Sequence, residues 1–453
     1  MGILEPTYNK RLLHTDMTKL GIFFGNDGIK DKDCTQIVSN NPGMSGTPYM
    51  FCLISYLLST RDNGIDVTLM TTSEGHFADN IKTIRAKNIK EAYLVSEELG
   101  LDYLLFNHED HYGKVYQDIF MRKGNVKLIV WCHNFVNSKL LTLYHNSPNV
   151  CRIITVGREQ MDLYRDHAAF QKSDFIYNAI SVPSLNEETF QPIPFAERRH
   201  IVAYMGAVIQ GKGFHLLAKA WKSVLREIPD AELYVIGTGK LYGNTKLGSW
   251  NLAEKYYEDS FMKYLTEDGK LLPSVHLMGV MGNEKMDILR QTKVGVPNPS
   301  GLTETFCVSG VEMQLAGARI AAYECAGYLD TIFNGTIFKK RSLLAKTIVS
   351  ELKRQDNDYH STIENINARF SQENVIRDWE RLLTECIPQG TRLHPIYPLC
   401  HADFKLKACK DGLRKLKTRF PFLYRVLPSA YTIQTVWDKV TYKIYKLRNG
   451  FRF

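Results

Sequence analysis

The chain has little of what marks secreted or membrane-spanning proteins. Among its 453 residues, no apolar run approaches the roughly 20 residues that a helix needs to cross a bilayer. The first stretch, MGILEPTYNKRLLHTDMTKL, carries charges throughout and contains no apolar core, so we expect no secretory signal there. These absences favour a cytoplasmic protein, or one that is peripheral to the cytosolic face of a membrane.

Cysteines are few and scattered. The chain has nine of them, an odd number, and no two are spaced as a Cys-x-x-Cys pair. Such a pattern predicts free thiols in a reducing compartment and excludes a disulfide framework or a cysteine zinc site. A length of 453 residues, of which 44% are hydrophobic, indicates a globular protein of two or three domains.

Several nucleotide and metal motifs are missing as well. No Gly-Lys-Ser/Thr follows a glycine loop, and neither half has a Gly-x-Gly-x-x-Gly fingerprint with an acidic ribose ligand after it. The Asp-x-Asp triplets at 31–33 and 356–358 lie in polar segments away from apolar strands and are interpreted as solvated loops. We therefore expect neither a P-loop enzyme, nor an NAD(P) dehydrogenase, nor a metal site.

The sequence does contain alternating apolar strands and helical stretches, a pattern that is typical of parallel α/β domains. The predicted strands are 20–24, 67–70, 103–106, 127–131, 153–156, 175–177, 201–205, 233–236, 275–278 and 294–296. A proline-dense stretch at 181–200 separates the two halves and predicts a domain boundary. We accordingly place one domain at 1–195 and a second at 196–370.

Two glutamates mark the segment 296–317, VPNPSGLTETFCVSGVEMQLAG. Glu304 and Glu312 are separated by seven residues, and the amphipathic run 306–315 predicts a helix. The amides of Thr305 and Phe306 would then lie at the helix N-terminus, where free N–H groups favour anions. Carboxylates and amides around one small volume suit a sugar attached to phosphate. A capping carboxylate beside a solvated one explains the same residues equally well.

Three further features at predicted strand ends suggest ligand contacts. The strand 201–205 leads into GAVIQGKG, where Lys212 is either a phosphate clamp or an ordinary solvated lysine. The loop NNPGMSGTP after the first strand contains Gly46, which allows close approach to a ligand or simply makes a turn. His133 follows the strand VKLIVW and is either a ligand contact or a structural histidine.

The order of these motifs resembles a known family. YMGAVIQGKGFHLLAKAW, LYVIGTGK, VHLMGV, VPNPSGLTETFCVSGVEMQLAG, AAYECAGYLDTI and NGTIF together resemble the retaining glycosyltransferases of family four. The resemblance is strong over 201–386 and weaker over 20–190. It implies an α/β fold of the GT-B type, in which two Rossmann-like, doubly wound domains face each other across a cleft. It also implies that the segment 371–388 is a helix that crosses back to the N-terminal, acceptor-side domain.

The resemblance implies roles for individual residues of the donor-side domain. Glu312 would hold the ribose hydroxyls of a nucleotide-sugar donor, and Glu304 would hold the hydroxyls of its sugar. The amides of Thr305 and Phe306 would reach sugar or phosphate oxygens. Lys212 would stabilise the diphosphate leaving group, whose charge grows in the transition state.

Other positions complete the implied site. Gly206 opens the lysine loop on the donor side, and Gly46 would approach the phosphates from the opposite domain. His133 matches a histidine that lines the donor–acceptor junction, which makes it a catalytic candidate together with Glu304 and Lys212. The backbone near Gly279 and Val280 would contact the base.

The implied function is transfer of a sugar from a UDP- or GDP-type donor to a glycan, a glycolipid or another acceptor. The resemblance also implies retention of configuration and no obligatory metal or other cofactor. One position departs from the family pattern, because Ala207 stands where an arginine usually assists the lysine on the phosphates. A nucleotide-sugar epimerase, a phosphorylase, or a catalytically weakened relative that only binds sugar nucleotides are the alternatives.

The tail, 389–453, differs from the rest in charge. It contains fourteen Lys and Arg against three Asp and Glu, a net charge of +11, while the whole chain carries +9. Apolar residues recur in it at helical spacing, so we predict basic amphipathic helices over 404–448. Such helices suit an anionic membrane surface, although packing on the protein explains the stripes equally well. No nucleic-acid motif is present, and we expect no nucleic-acid partner.

Overall fold

The computed structural model describes residues 17–39, 41–181, 193–242, 246–302, 304–384, 392–396 and 407–448. Two parallel sheets, each covered by helices, make up most of this part of the chain. The predicted domain boundary at 181–200 falls largely on residues outside these ranges, as do the end of the predicted crossing helix and the start of the predicted tail. The first sixteen residues, which belong to the stretch examined for a secretory signal, also lie outside them.

The first sheet has seven parallel strands in the order β3-β2-β1-β4-β5-β6-β7. Its strands are β1 (Thr18–Phe24), β2 (Ile65–Thr71), β3 (Lys82–Arg85), β4 (Tyr103–Asn107), β5 (Lys127–Cys132), β6 (Val150–Thr155) and β7 (Ser173–Phe175). The connecting helices are α1 (Gly46–Ser59), α2 (Ile89–Glu98), α3 (Tyr112–Val115), α4 (Gln117–Met121), α5 (Ser138–Asn146) and α6 (Arg158–Asp162). The central strands are buried on both faces, which explains their nearly continuous apolar sequences.

The second sheet has six parallel strands in the order β12-β9-β8-β13-β14-β15. Its strands are β8 (Ile201–Met205), β9 (Glu232–Ile236), β12 (Val275–Gly279), β13 (Thr292–Gly295), β14 (Arg319–Tyr323) and β15 (Gly335–Phe338). The hairpin β10 (Thr266–Glu267) and β11 (Lys270–Leu271) lies outside it. The helices are α7 (Phe214–Glu227), α8 (Lys255–Met262), α9 (Lys285–Gln291), α10 (Val308–Leu315), α11 (Ala326–Thr331) and α12 (Leu344–Leu352).

Both sheets reverse their strand order next to the first strand of the domain. In the first sheet the reversal lies between β1 and β4, and in the second it lies between β8 and β13. Ligands of open α/β sheets bind in the crevice that forms outside the carboxyl ends of the strands at such a point. The fold therefore places the loops after these four strands where a ligand is expected.

Two helices after the second sheet connect back to the first. They are α13 (Tyr359–Phe370) and α14 (Gln372–Thr384). On α14 the indole of Trp379 packs edge-on against Trp131 of β5, with ring centroids 5.0 Å apart. The exposed face of α14 contacts the segment just after α1, where Arg61 pairs with Glu373 and Glu380. The segment after the second sheet is thus part of the first domain's core.

The tail folds into α15 (Lys407–Arg419), α16 (Leu423–Val426) and α17 (Ala430–Arg448). It is anchored by a buried cation, because the ammonium of Lys417 lies 3.0 Å from the carboxylate of Asp166. Tyr431 is buried beside Tyr164, with ring centroids 4.9 Å apart. Many of the apolar residues of the predicted stripes are exposed instead, among them Val436 at 58% and Leu447 at 66%.

Most of the predicted strands overlap observed ones, but the prediction at 175–177 was wrong by about two residues. The strand β7 is Ser173–Phe175, and its first two residues are buried and polar. The Ser173 hydroxyl donates to the Ala169 carbonyl, and Asp174 accepts the Leu393 amide, so burial here depends on hydrogen bonds. The strands β3, β14 and β15 were not predicted: β3 is mostly exposed, β15 is only partly buried, and β14 (RIAAY) begins with an arginine and has two alanines in place of a branched apolar run.

Candidate functional site

A cleft of about 640 Å³ lies between the carboxyl ends of the two sheets. Its walls are the loops after β1, β4 and β5 on one side, and the loops after β8 and β13 with the starts of α9 and α10 on the other. The predicted site residues that line it are Gly46, His133, Gly206, Lys212, Glu304, Thr305, Phe306 and Glu312. The topology therefore brings eight residues from distant parts of the chain into one space.

Glu304 and Lys212 are in direct contact. The Lys212 ammonium lies 2.8 Å from Oε2 of Glu304, and both side chains are largely buried. The amide of Asn298 donates to the same carboxylate oxygen at 2.9 Å, and Asn298 is itself only 1% exposed. Two donors therefore fix the orientation of the Glu304 carboxylate. Hydrogen bonds to a charged group are stronger than neutral ones, so this orientation is well defined.

The lysine loop and the glutamate loop are also joined through their backbones. The Ser300 hydroxyl donates to the Gly211 carbonyl at 2.6 Å. Gly213 adopts a left-handed φ of +73°, and a Cβ there would lie 2.6 Å from Cβ of Ser300. Only glycine permits this approach, so the spacing between Lys212 and Glu304 depends on it.

Glu312 has a lysine partner of its own. The ammonium of Lys285, the first residue of α9, lies 3.0 Å from Oε1 of Glu312. The charge of Glu312 also helps to raise the pKa of Tyr49 to about 12, although burial of the phenol is the larger cause. The two lysines that line the cleft therefore each contact one of the two glutamates.

The helix after Glu304 begins later than predicted. Cys307 caps it, since its sulfur accepts the Gly310 amide at 3.3 Å, and α10 starts at Val308. Thr305 and Phe306 thus precede the cap, and the prediction that their amides form the helix N-terminus was wrong. The first helical residues that line the cleft are Val308 and Ser309.

The residues before α10 form a turn that contacts His133 and Gly327, and this turn delays the start of the helix. The Thr305 hydroxyl donates to the His133 carbonyl at 2.5 Å, across the two domains. The Gly327 amide donates to the Glu304 carbonyl at 3.1 Å. These contacts hold the residues just before the predicted helix in a turn, so the helix starts at Val308 and local periodicity misplaces its start.

His133 is neutral in this environment. It is 7% exposed, and burial lowers the pKa of its imidazole to about 3. Its ring packs against Trp131 with centroids 4.4 Å apart. Within the described part of the chain, its Nε2 and the buried Oδ1 of Asn178, which also line the cleft, have no hydrogen-bond partner. Buried polar atoms of this kind are normally satisfied, so they indicate contact with a polar ligand.

Gly279 and Val280, which were assigned to the base, are not among the residues that line the cleft. The Gly279 carbonyl accepts the Gly237 amide at 2.6 Å, and Val280 is 53% exposed. Ala207 does line the cleft, with its side chain fully buried. Among the residues described, no group of three or more His, Cys, Asp or Glu is arranged to hold a metal ion.

The motifs of the second domain match a family profile. Residues 186–369 match the profile of the glycosyl transferases group 1. This segment holds Lys212, Lys285, Glu304 and Glu312, which lie on the second domain's side of the cleft. Residues 186–369 belong to the glycosyl transferases group 1 family. The second domain is therefore a glycosyltransferase domain of this group, and the two Rossmann-like domains of the chain have the GT-B arrangement.

Proteins that are similar to this chain include one relative in sequence and several in structure. The lipopolysaccharide 1,2-N-acetylglucosaminetransferase of Salmonella typhimurium is 22% identical over 280 residues, which are 59% of this chain and 69% of the relative. Sucrose-phosphate synthase from Thermosynechococcus elongatus superposes with a TM-score of 0.59 at 14% identity, covering 81% of this chain and 98% of that one. A glycosyltransferase from Rickettsia africae gives 0.58 at 12% identity, with 82% and 99% covered. The solved structures share the GT-B fold.

Three groups in the cleft region were not predicted from the sequence. Lys285 was recognised only as part of a helix, although its place after the glycine that ends β12 was a signal. Asn298 lies between two prolines in the segment that was singled out, and only the fold shows that it orients Glu304. Ser309 gave no signal, because its position depends on the helix start.

Proposed function

We propose that this glycosyltransferase moves a sugar from a UDP- or GDP-type nucleotide sugar to a sugar hydroxyl of a glycan or glycolipid, with retention of configuration. The contact between Lys212 and Glu304 carries the proposal. It places one cation and one carboxylate at the switch point of the donor-side sheet, where a sugar and its phosphates would meet. The relative from Salmonella typhimurium, which by its name transfers N-acetylglucosamine to lipopolysaccharide, supports an acceptor of this class.

In this proposal the donor lies along the second domain. Glu312 holds ribose hydroxyls and Glu304 holds the hydroxyls of the transferred sugar, while the backbone of Thr305 and Phe306 contacts sugar or phosphate oxygens. Gly206 and Gly46 allow the phosphates to approach the backbone from the two sides. Gly279 and Val280 do not line the cleft, so contact between them and the base requires that the base extend beyond the residues that line it.

The chemistry follows from charge placement. The bond between the anomeric carbon and the phosphate oxygen breaks, and negative charge develops on the nucleoside diphosphate. The Lys212 ammonium stabilises that charge in a largely buried environment, where such interactions are strong. The acceptor oxygen bonds to the anomeric carbon on the same face, and its proton passes to the departing phosphate oxygen. Neutral His133 lies beside the junction as a hydrogen-bonding group. No step in this scheme requires a metal or other cofactor.

Lys285 supplies a second cation to the cleft, in which Ala207 stands at the position of the family's usual arginine. Ala207 provides no charge, but the ammonium of Lys285 lines the same cleft and is held by Glu312. A point charge on a flexible stem is a weaker phosphate ligand than a bidentate guanidinium, yet it neutralises the same anion. We therefore favour an active enzyme over a relative that only binds sugar nucleotides.

The charge and the exposed apolar residues of the tail support a location of the protein at an anionic membrane surface, which we place on the cytoplasmic side. Its net charge is +11, and its exposed apolar residues include Phe422, Val426 and Leu447. Apolar side chains beside lysines provide the two attractions that bind a protein to anionic lipid. In the described part of the chain, no helix is long and apolar enough to cross a membrane.

A donor panel tests the proposed function. Purified full-length protein is incubated with UDP- and GDP-sugars, and nucleotide release is measured with and without octyl glycosides as acceptors. Release that rises with an acceptor, together with a product whose anomeric configuration matches the donor by NMR, supports a retaining transferase. Release of a free sugar isomer that does not depend on the acceptor indicates an epimerase, and a reaction that depends on phosphate indicates a phosphorylase. Donor binding without nucleotide release indicates a non-catalytic relative.

A further inference from the structure

We propose that a second cavity, walled by the tail helix α17, binds the apolar part of an amphiphilic acceptor next to the donor cleft. The proposal rests on the function proposed above and names the acceptor as a sugar linked to an apolar chain. The cavity has a volume of about 910 Å³ and is separate from the donor cleft. Its position, its lining and one buried carboxylate support the proposal.

The cavity adjoins the donor cleft along three loops. The loop after β4 contributes Glu109 to the donor cleft and Asp110 to the second cavity. The loop after β5 contributes Asn134 to the first and Phe135 to the second. The loop after β13 likewise places Glu304 in the donor cleft and Gly301 and Leu302 in the second cavity. A molecule in the second cavity thus lies beside the expected position of the donor sugar.

Helix α17 closes the cavity because it bridges both domains. Near its start, the hydroxyls of Thr432 and Ser138 of the first domain are 2.7 Å apart. Near its end, the Tyr445 hydroxyl is hydrogen-bonded to the imidazole of His215 in the second domain. The guanidinium of Arg341 lies 4.9 Å from the centre of the Tyr445 ring. The tail therefore completes a site that the two sheets alone leave open.

The walls suit an apolar chain. Phe135, Leu140, Leu143, Leu163, Tyr431 and Val436 are among the residues that line the cavity. Val436 is 58% exposed, and the apolar surface continues outward along α17 through the exposed Val440. The interior is thus continuous with the surface that we propose faces a membrane, which gives a lipid-linked sugar a direct path of entry.

One buried carboxylate of the cavity is suited to bind the sugar of the amphiphilic acceptor. Glu324 directly follows β14, lines the cavity and is 6% exposed. Its Oε1 lies 3.8 Å from the ammonium of Lys339, while its Oε2 has no hydrogen-bond partner in the described part of the chain. A buried carboxylate oxygen is strongly stabilised by a hydroxyl donor. We assign it to a hydroxyl of the acceptor sugar.

Calorimetric titration of the full chain with octyl β-glucoside, below its micelle concentration, tests the cavity. Methyl β-glucoside has the same sugar without the chain, so the cavity predicts at least roughly tenfold tighter binding of the octyl compound. Val436→Asp should remove most of this preference. Leu447→Asp changes another exposed apolar residue of the same helix, about three turns away, that does not line the cavity, and it should leave the preference unchanged. Glu324→Gln should weaken octyl glucoside binding without changing UDP binding.

The outcomes separate this inference from the proposed function. Equal affinities for the two glucosides, or equal effects of Val436→Asp and Leu447→Asp, overturn the cavity as an amphiphile site even if UDP binds normally. The opposite result, with octyl glucoside bound in the cavity and no nucleotide released from any donor, removes the transferase assignment and the acceptor role with it. Preference for octyl glucoside together with acceptor-dependent release supports both.

Discussion

The ammonium of Lys285 lies 3.0 Å from Oε1 of Glu312, which joins the first residue of α9 to the middle of α10. The two residues are 27 positions apart in the chain. A second such pair, Lys212 with Glu304, lies in the same cleft. Each glutamate that would hold donor hydroxyls is therefore coupled to a lysine that would face the donor phosphates.

Removal of Lys212 or Glu304 should abolish transfer while the fold is retained. Lys212→Ala removes the cation nearest the leaving group, and loss of one such electrostatic contact typically lowers kcat about 100-fold or more. Glu304→Ala leaves that cation without its carboxylate partner. Initial rates of nucleotide release measure both effects, and circular dichroism checks the fold. Lys353→Ala breaks an exposed pair with Glu227 and serves as the control. Full activity in both site variants would falsify the assignment.

Lys285→Ala should chiefly weaken donor binding. The side chain contacts Glu312, which holds ribose in our proposal, so its loss should raise KM or the Kd for UDP by roughly tenfold, about 1.4 kcal/mol. Its effect on kcat should be smaller than that of Lys212→Ala. Calorimetry with UDP and steady-state kinetics measure the two quantities. Lys255→Ala, which breaks an exposed pair with Asp259, is the matched control. An unchanged KM and Kd contradict the role of Lys285 as the second cation.

Gly327→Ala should impair activity by displacing the Glu304 loop. A Cβ at this position would lie 2.8–2.9 Å from backbone atoms of Glu304, Thr305 and Phe306, and backbone atoms have little room to move. We expect a loss of at least roughly tenfold in kcat/KM, with destabilisation of about 1–3 kcal/mol from overpacking. Gly412→Ala meets no atom within 4 Å and lies within α15, so it should be neutral or slightly stabilising. Wild-type kinetics of the Gly327→Ala variant would contradict the prediction that close packing at Gly327 positions the Glu304 loop.

Asp330 should make the protein less stable as pH rises toward neutrality. Burial and the nearby charge of Glu159 raise the pKa of this carboxyl to about 7, well above its ordinary value of 3.8. The folded state therefore binds more protons than the unfolded state between these values, and each pKa unit corresponds to about 1.4 kcal/mol of unfolding free energy. The stabilising contribution is complete below pH 3.8 and is lost as pH rises through about 7.

Asp330→Asn tests this dependence. The asparagine oxygen can still accept the Glu159 amide, which donates to the carboxylate at 2.8 Å, but the side chain no longer titrates. Thermal unfolding midpoints at pH 5.5 and pH 7.5, measured for both proteins, should fall less with pH in the variant. An identical fall in the two proteins shows that Asp330 does not titrate in this range.

The tail should bind anionic vesicles in a salt-dependent manner. Phe422→Asp with Val426→Asp removes two of the most exposed apolar side chains, 65% and 72% exposed, and adds two negative charges. Sedimentation with phosphatidylglycerol vesicles should fall by roughly tenfold or more, since both the apolar and the electrostatic attraction weaken. Met121→Asp changes an exposed apolar residue of the first domain and is the control. Equal sedimentation of all three proteins ends the membrane proposal.

The local pattern of residues was sufficient to predict the α/β class and several of the residues that line the cleft. Runs of buried apolar residues predict strands whatever they pack against, and polar residues at the ends of such strands must lie at one edge of a parallel sheet. Glu304, Lys212 and His133 could be named in this way. The resemblance to a family supplied their separate roles, which no periodicity contains.

Only the tertiary structure decided the rest, because it depends on contacts between residues that are far apart in the chain. The start of α10 moved to Val308 because Gly327 and His133 hold the preceding turn. The partner of Glu312 became visible only when α9 was placed beside α10. The stripes of the tail were equally consistent with burial and exposure, since periodicity shows which residues share a face and not what covers it. The tertiary structure leaves Val436 and Leu447 of these stripes at the surface, while Lys417 and Tyr431 of the tail are buried against the first domain.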